Sequence, residues 1–114
     1  MCSPAPRAAP LSGTLPAVAT YVLLSTLSAD GVASLKKNPS RVQQVNVQIE
    51  AMGARILHQW ALLGPYDFIT VVDAPDEITV ARVAMEIGAR GSTRIQSMPA
   101  IPVDEFLKAI PPDG

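Results

Sequence analysis

One cysteine, Cys2, and one histidine, His58, are all that 114 residues hold of the two side chains that most often bind transition metals. A single thiol excludes an internal disulfide framework and every multi-cysteine zinc or iron–sulfur pattern. A lone imidazole removes the usual histidine-rich sites, so no metal and no cofactor is expected. Aromatic residues number five (Tyr21, Trp60, Tyr66, Phe68 and Phe106), too few for a platform that stacks single-stranded nucleic acid. Charge of one sign is lacking too: nine Lys and Arg against ten Asp and Glu leave a net charge of −1. That balance argues against a basic nucleic-acid binder and against a polyacidic tail. No apolar run approaches the roughly 20 residues of a membrane helix. There is no phosphate-cradling Gly-rich loop, no G-x-G-x-x-G before a helix, no G-x-S-x-G and no H-E-x-x-H. These absences lower the prior for nucleotide-binding, hydrolase and protease chemistry, and the expectation is a cytoplasmic protein with no nucleic-acid or membrane partner.

Proline, by contrast, is concentrated at the start, where Pro4, Pro6, Pro10 and Pro16 fall within sixteen residues that carry one charge, Arg7. Residues 1–17 therefore read as an extended arm, because proline lacks the amide donor that helices and central strands need. A secretory signal would need a basic start and 7–15 uninterrupted apolar residues, which the prolines prevent. Cys2 reads as a bystander on this arm. Residues 18–110 read as one domain and residues 111–114, opening on Pro111-Pro112, as a short tail.

Within the domain the hydrophobic period alternates between strand and helix. Val18–Leu27 is β-branched, aromatic and apolar, a strand. Asp30-Gly31 reads as a break, with a helical turn over Gly31–Lys37. Ser40 stands as the N-cap of a helix whose Val42, Val45, Ile49 and Met52 form one apolar stripe, stopped by Gly53. Arg55–Leu63 and Phe68–Val72 read as strands joined through Gly64-Pro65-Tyr66-Asp67, turn chemistry between apolar runs. Asp76 is the expected N-cap of a helix over Glu77–Arg90. Its inward stripe is read as Ile78, Ala81, Ala84, Met85 and Gly88, widened by Val80, Val83 and Ile87, with Gly91 as the stop. Thr93–Met98 is the fourth strand, and Pro102 opens a short helix over Val103–Ala109. The fold class is α+β: a ferredoxin-like β-α-β-β-α-β antiparallel sheet with a short C-terminal helix.

The hairpin sorts its side chains into two sets, Ile56, His58, Trp60, Leu62, Ile69 and Val71 against Leu57, Gln59, Ala61, Phe68, Thr70 and Val72. Tyr21 and Leu23 oppose Val22 and Leu24 in the same way. Neither set has the polarity of a solvated face. Helices cover only one, and each large apolar side chain left wet forgoes about 1.5–3 kcal/mol. A second copy packed sheet against sheet relieves this, giving a homodimer or higher homo-oligomer of the dimeric α/β-barrel kind. The alternative is a monomer covered by its own tail or terminal helix.

Gly64-Pro65-Tyr66-Asp67 resembles the Gly-x-Tyr-Asp signature of the GYD domain family. Around it stand the opening Ala19-Thr20-Tyr21-Val22, the segment Asn38-Pro39-Ser40-Arg41-Val42, Asp73-Ala74-Pro75-Asp76 after the third strand, and Asp104-Glu105-Phe106 after the fourth. The resemblance runs over residues 18–108 and implies a small bacterial or archaeal dimeric α/β-barrel module of generally unassigned biochemistry. It supplies no catalytic residues. Gln59-Trp60-Ala61 departs from the aromatic pair the family commonly carries there, so any pocket lined by that pair differs here.

Tyr66 and Asp67 admit two readings. In one, Tyr66 packs over the turn and the Asp67 carboxylate accepts backbone amides; in the other, Tyr66 is a proton donor or ligand clamp oriented by Asp67. His58 shares a face with Trp60 and reads either as a packed strand residue or as a general base, or, by analogy with some dimeric barrels, as a haem ligand. Gln59, Thr70, Gln96 and Arg94 stand as a semi-polar group on one face. Lys36, Lys37 and Arg41 form a small basic cluster that reads as a solvated loop before a phosphate site. The leading functional expectation is an oligomeric module that binds a small apolar or amphipathic ligand between sheets through Trp60, Tyr66, Gln59 and Arg94. Its alternatives are a small monooxygenase-like or isomerase-like enzyme using His58, Tyr66 and Asp67, and a pure assembly or interaction protein.

Overall fold

A computed structural model of the chain describes residues 18–112, so the proline-rich arm with Cys2, and the last two residues of the C-terminal tail, lie outside the described residues. The elements are β1 (Ala19–Leu27), α1 (Ala29–Lys37), α2 (Arg41–Ala51), β2 (Arg55–Ala61), β3 (Phe68–Ala74), α3 (Glu77–Gly88), β4 (Thr93–Ala100) and α4 (Val103–Lys108). The strands form one antiparallel sheet in the order β2-β3-β1-β4. The fold is thus α+β, and none of its helices among the described residues is long and apolar enough to cross a membrane.

The core lies on one side of the sheet. Tyr21 and Leu23 of β1 and Val72 and Ala74 of β3 meet Ile49 of α2 and Val80, Val83 and Ile87 of α3, all buried. The alternation of buried and half-buried residues along β1 and β3 is the period-2 pattern of central strands with one face against helices. In α2 the stripe Val42, Val45, Ile49 and Met52 faces inward as its spacing requires.

The structure corrects several details. The inward stripe of α3 is Val80, Val83 and Ile87, while Ile78 and Met85 are 72% and 73% exposed. The helix is apolar nearly all round, so composition does not choose its face. Packing of Val80, Val83 and Ile87 against the sheet chooses it, and Asp76 caps the first turn by accepting the Thr79 amide and hydroxyl at 2.8 Å each. Ser40, in contrast, caps nothing; its backbone is already helical and its hydroxyl donates to the Asn38 side chain instead. Asp30-Gly31 is not a break but the first turn of α1, which Ser28 caps by accepting the Gly31 amide at 3.1 Å. β4 runs on through Pro99, which an edge strand tolerates because one of its amide rows pairs with nothing. β3 likewise extends to Ala74, whereas β2 ends at Ala61, leaving Leu62–Asp67 as the loop. α3 and α4 each stop short of their expected last residues, at Gly88 and Lys108.

A bulge shifts the register of β2. Ile56 pairs with Val72, but His58 pairs with Val71, leaving Leu57 as the extra residue. Ile56 therefore joins the helix-side core rather than the face of His58 and Trp60, overturning the parity expected for an unbroken strand.

Candidate functional site

The sheet face opposite the helices is built by pairing across all four strands. Trp60, Ile69, Leu24 and Gln96 make one row, and His58, Val71, Val22 and Met98 the next. Asp73 and Thr20 follow, joined by a 2.9 Å bond from the Thr20 hydroxyl to the Asp73 carboxylate. Among the described residues no helix covers this face; Trp60 is 53% and Met98 41% exposed, and Val22, Leu24, Ile69 and Val71 are half-buried. His58 lies exposed on edge strand β2, its ring stacked on that of Trp60 with centroids 5.3 Å apart and planes 14° from parallel.

The loop before β3 closes one end of this face. Gly64 holds φ at 135°, a conformation other residues rarely adopt. From that turn Tyr66 reaches across the sheet, its hydroxyl donating to the Gln96 carbonyl oxygen at 3.1 Å. Asp67 is fully engaged with backbone: its amide donates to the Ser25 carbonyl, its carbonyl accepts from Leu62, and its carboxylate accepts from the Leu27 amide, each at 2.8 Å. The carboxylate thus completes the end of β1 after pairing with β3 has run out at Ser25 and Phe68. Among the described residues no hydrogen bond joins His58, Tyr66 and Asp67 to one another, and nothing aligns an acid with a base.

The expected semi-polar group is divided between the two faces. Arg94 and Gln96 lie on the open side, with Arg94 at its far end, beside Thr26. Gln59 and Thr70 lie on the helix side. There Asn46 of α2 and Gln59 exchange amide bonds of 2.8 and 3.1 Å, and the Gln59 amide also donates to the Thr70 hydroxyl at 3.0 Å. This network forms one wall of a cavity of about 80 Å³ between the sheet and α1 and α2. The basic cluster also separates: Lys36 and Lys37 face solvent from the end of α1, whereas Arg41 is half-buried at the cavity. The helical period puts Asn46 with Gln43, Gln44, Gln48 and Glu50 on the side of α2 opposite the apolar stripe; the structure instead has it half-buried at the edge of the inward face, bonded to Gln59, because one residue beyond Val45 is only about 100° round the helix.

Two further apolar surfaces are exposed. Ile78, Ala81 and Met85 form an outward stripe on α3, and α4 is exposed along its whole length with Val103, Phe106, Leu107 and, just beyond it, Ile110 on one side. Asp76, at the start of α3, has its carboxyl held below the usual range first by the Thr79 amide and then by the Thr79 hydroxyl.

Comparison with known proteins finds a curated relative. The chain is 45% identical over 89 residues to a Thermus thermophilus protein called glutamine synthetase and cystathionine beta-lyase binding protein, spanning 77% of this chain and 94% of the relative. No solved structure matches significantly. The family model for the GYD domain matches residues 21–110, all of the sheet but the first two residues of β1, together with its helices and the Gly64–Asp67 turn that closes the open face. The chain belongs to the GYD domain family.

Proposed function

We propose that this protein is a self-associating, protein-binding module rather than an enzyme. Its strand order and helix placement are read as ferredoxin-like, and its helix-free sheet face as the seat of a second copy, making a dimeric α/β-barrel. The observation that carries this reading is the composition of that face: Val22, Leu24, Ile69, Val71, Trp60 and Met98 lie side by side with no element over them among the described residues. An uncovered apolar row of that width exceeds what a soluble monomer ordinarily presents. The exposed apolar side of α4 extends the same argument, for it too lacks cover among the described residues. On this reading His58, Trp60, Tyr66 and Arg94 are contact residues of the interface and Asp67 is its scaffold.

The protein-binding half of the proposal rests on the relative, whose name records binding to glutamine synthetase and cystathionine beta-lyase. Those two enzymes are the first partners to try. Sedimentation velocity of the full chain at about 10 µM is expected to give a dimer or larger. Val71→Glu places a charge at the centre of the interface and weakens it by about 3 kcal/mol or more, roughly a hundredfold. A well-folded wild-type monomer at that concentration overturns self-association. Mixing the wild type with purified glutamine synthetase, and separately with cystathionine beta-lyase, is expected to move it into the enzyme's boundary; migration apart from both overturns the partner reading.

A further inference from the structure

The cavity on the helix side of the sheet belongs to no part of the interface proposed above, and its lining has a distinct chemistry. Leu23, Ile49, Phe68 and Ile95 make it apolar, yet hydroxyl and amide groups are set into the same wall. Ser25, 8% exposed, lines the cavity, and among the described residues its hydroxyl makes no side-chain hydrogen bond, so it is open to whatever fills the space. Thr70, 3% exposed, accepts a bond from Gln59, and among the described residues its own hydroxyl hydrogen is not donated. Asn46 uses one amide hydrogen on Gln59 and keeps the other.

The charge of the lining points one way. Arg41 and Arg90 border the cavity, and no Asp or Glu does. Arg90 is held by the Gln48 side-chain carbonyl. Arg41 has no ion pair or side-chain hydrogen bond among the described residues, although it is half-buried. An unengaged guanidinium beside unfilled hydroxyl and amide donors suits an anion with several acceptor oxygens. The apolar remainder suits a hydrocarbon chain. At about 80 Å³ the space takes about five to eight waters, or a molecule of comparable non-hydrogen atom count.

We infer that this cavity is a binding site for a small monocarboxylic acid, its carboxylate met by Arg41 and the Ser25, Thr70 and Asn46 donors and its short chain lying against Leu23, Ile49 and Phe68. The site is on the opposite side of the sheet from the proposed dimer face, and its occupancy is independent of whether that face associates.

The test uses sodium pentanoate, whose about seven non-hydrogen atoms match the space, against n-pentylamine and pentan-1-ol of the same length. Each is titrated into the isotopically labelled full chain while the side-chain amide resonances of Asn46 and Gln59 are followed. Pentanoate is expected to shift both saturably with a millimolar or tighter dissociation constant, the amine to shift neither, and the alcohol to bind at least about tenfold more weakly. Arg41→Gln, at a half-buried position outside the packed core, weakens pentanoate about tenfold, whereas Val71→Glu leaves that affinity unchanged. Equal responses to acid and amine, no saturable response to pentanoate by about 50 mM, or an unaltered affinity in Arg41→Gln each overturn the assignment. Val71→Glu separates this outcome from the dimer reading, since it abolishes the one and spares the other.

Discussion

Gly31→Ala and Gly88→Ala are the same substitution in two helices, and the structure expects opposite signs. Gly31 sits in the first turn of α1, where a Cβ would stand 2.1 Å from the Ser92 carbonyl oxygen and 3.1 Å from its carbon. Real Cβ contacts keep at least 3.0 Å, so the backbones must part by about 0.9 Å. The atom in the way is not a movable side chain. It accepts the Ser28 amide at 3.0 Å and the Ser28 hydroxyl at 3.4 Å, the bonds that tie the start of α1 to the start of β4. Overpacking contributes about 1–3 kcal/mol and a weakened backbone bond about 1 more, against about 1 kcal/mol gained in helix propensity. The net expectation is a loss of about 2 kcal/mol. At Gly88 of α3 the nearest atom outside the helix is the Thr93 carbonyl oxygen at 3.9 Å, an ordinary contact. There alanine adds propensity with no penalty and stabilises by about 0.5–1 kcal/mol. Urea unfolding of the two variants and the wild type, at one protein concentration because self-association would move the midpoint, measures both. In thermal unfolding the first is expected to lower Tm by about 8–16 °C and the second to raise it. A Gly31→Ala protein as stable as the wild type would refute the close approach of α1 to β4.

Asp67→Ala removes the acceptor of the Leu27 amide and is expected to lower stability by about 1–3 kcal/mol in urea, with Asp67→Asn recovering part because its carbonyl oxygen can still accept. Val83→Ala, in the core, costs about 2 kcal/mol, whereas Met85→Ala two positions on stays within about 0.5 kcal/mol in the same assay, the pair reporting which way α3 faces. Asp76 has a folded-state pKa below its unfolded value, so its contribution is present above the unfolded value and is lost as pH falls through the lower, folded one. Accordingly the stability difference between wild type and Asp76→Ala is expected to shrink on titration from pH 6 towards pH 2, and a constant difference would show that the carboxylate caps nothing. Tyr66→Phe deletes one exposed bond to Gln96 and is expected to change stability by about 0.5 kcal/mol at most.

What the sequence made legible follows from how local each signal is. Period-2 runs in β1 and β3, the stripe of α2, the Asp76 cap, the stop of α2 at Gly53 and the turn at Gly64 are set within a few residues and are present as read, whereas α3 ends at Gly88, before the stop expected at Gly91. The face of α3 was not legible, because apolar residues stand at most rotations and long-range packing against the sheet decides among them. Nor was the parity of β2. Its bulge at Leu57 leaves no mark in composition, and a single extra residue carries Ile56 to the other side of the sheet. The candidate site divided for a related reason. Gln59 and Arg94 are placed by strands whose mutual register runs through β3 and β1, so no local pattern could assign them to one face or to two.

The open face departs from ordinary usage along most of its length, and the helix side, although it holds the core, departs from it at three positions. A sheet with helices on one side normally puts its apolar residues under them and its polar residues in water. Here Ser25, Gln59 and Thr70 lie under the helices, and Val22, Leu24, Ile69 and Val71 lie on the open side. The core retained between Tyr21, Val72, Val83 and Ile87 is small for the sheet's length. A monomer standing alone would gain by exchanging the two sets at the β1 and β3 positions: Ser25→Val with Leu24→Thr would fill the cavity wall and wet the open face. That double variant is therefore expected to be more stable as a monomer than the wild type, to lose self-association and to lose pentanoate binding together. A variant that keeps its oligomeric state despite a polar residue at position 24 would place the second copy elsewhere on the molecule and leave the open face without an occupant.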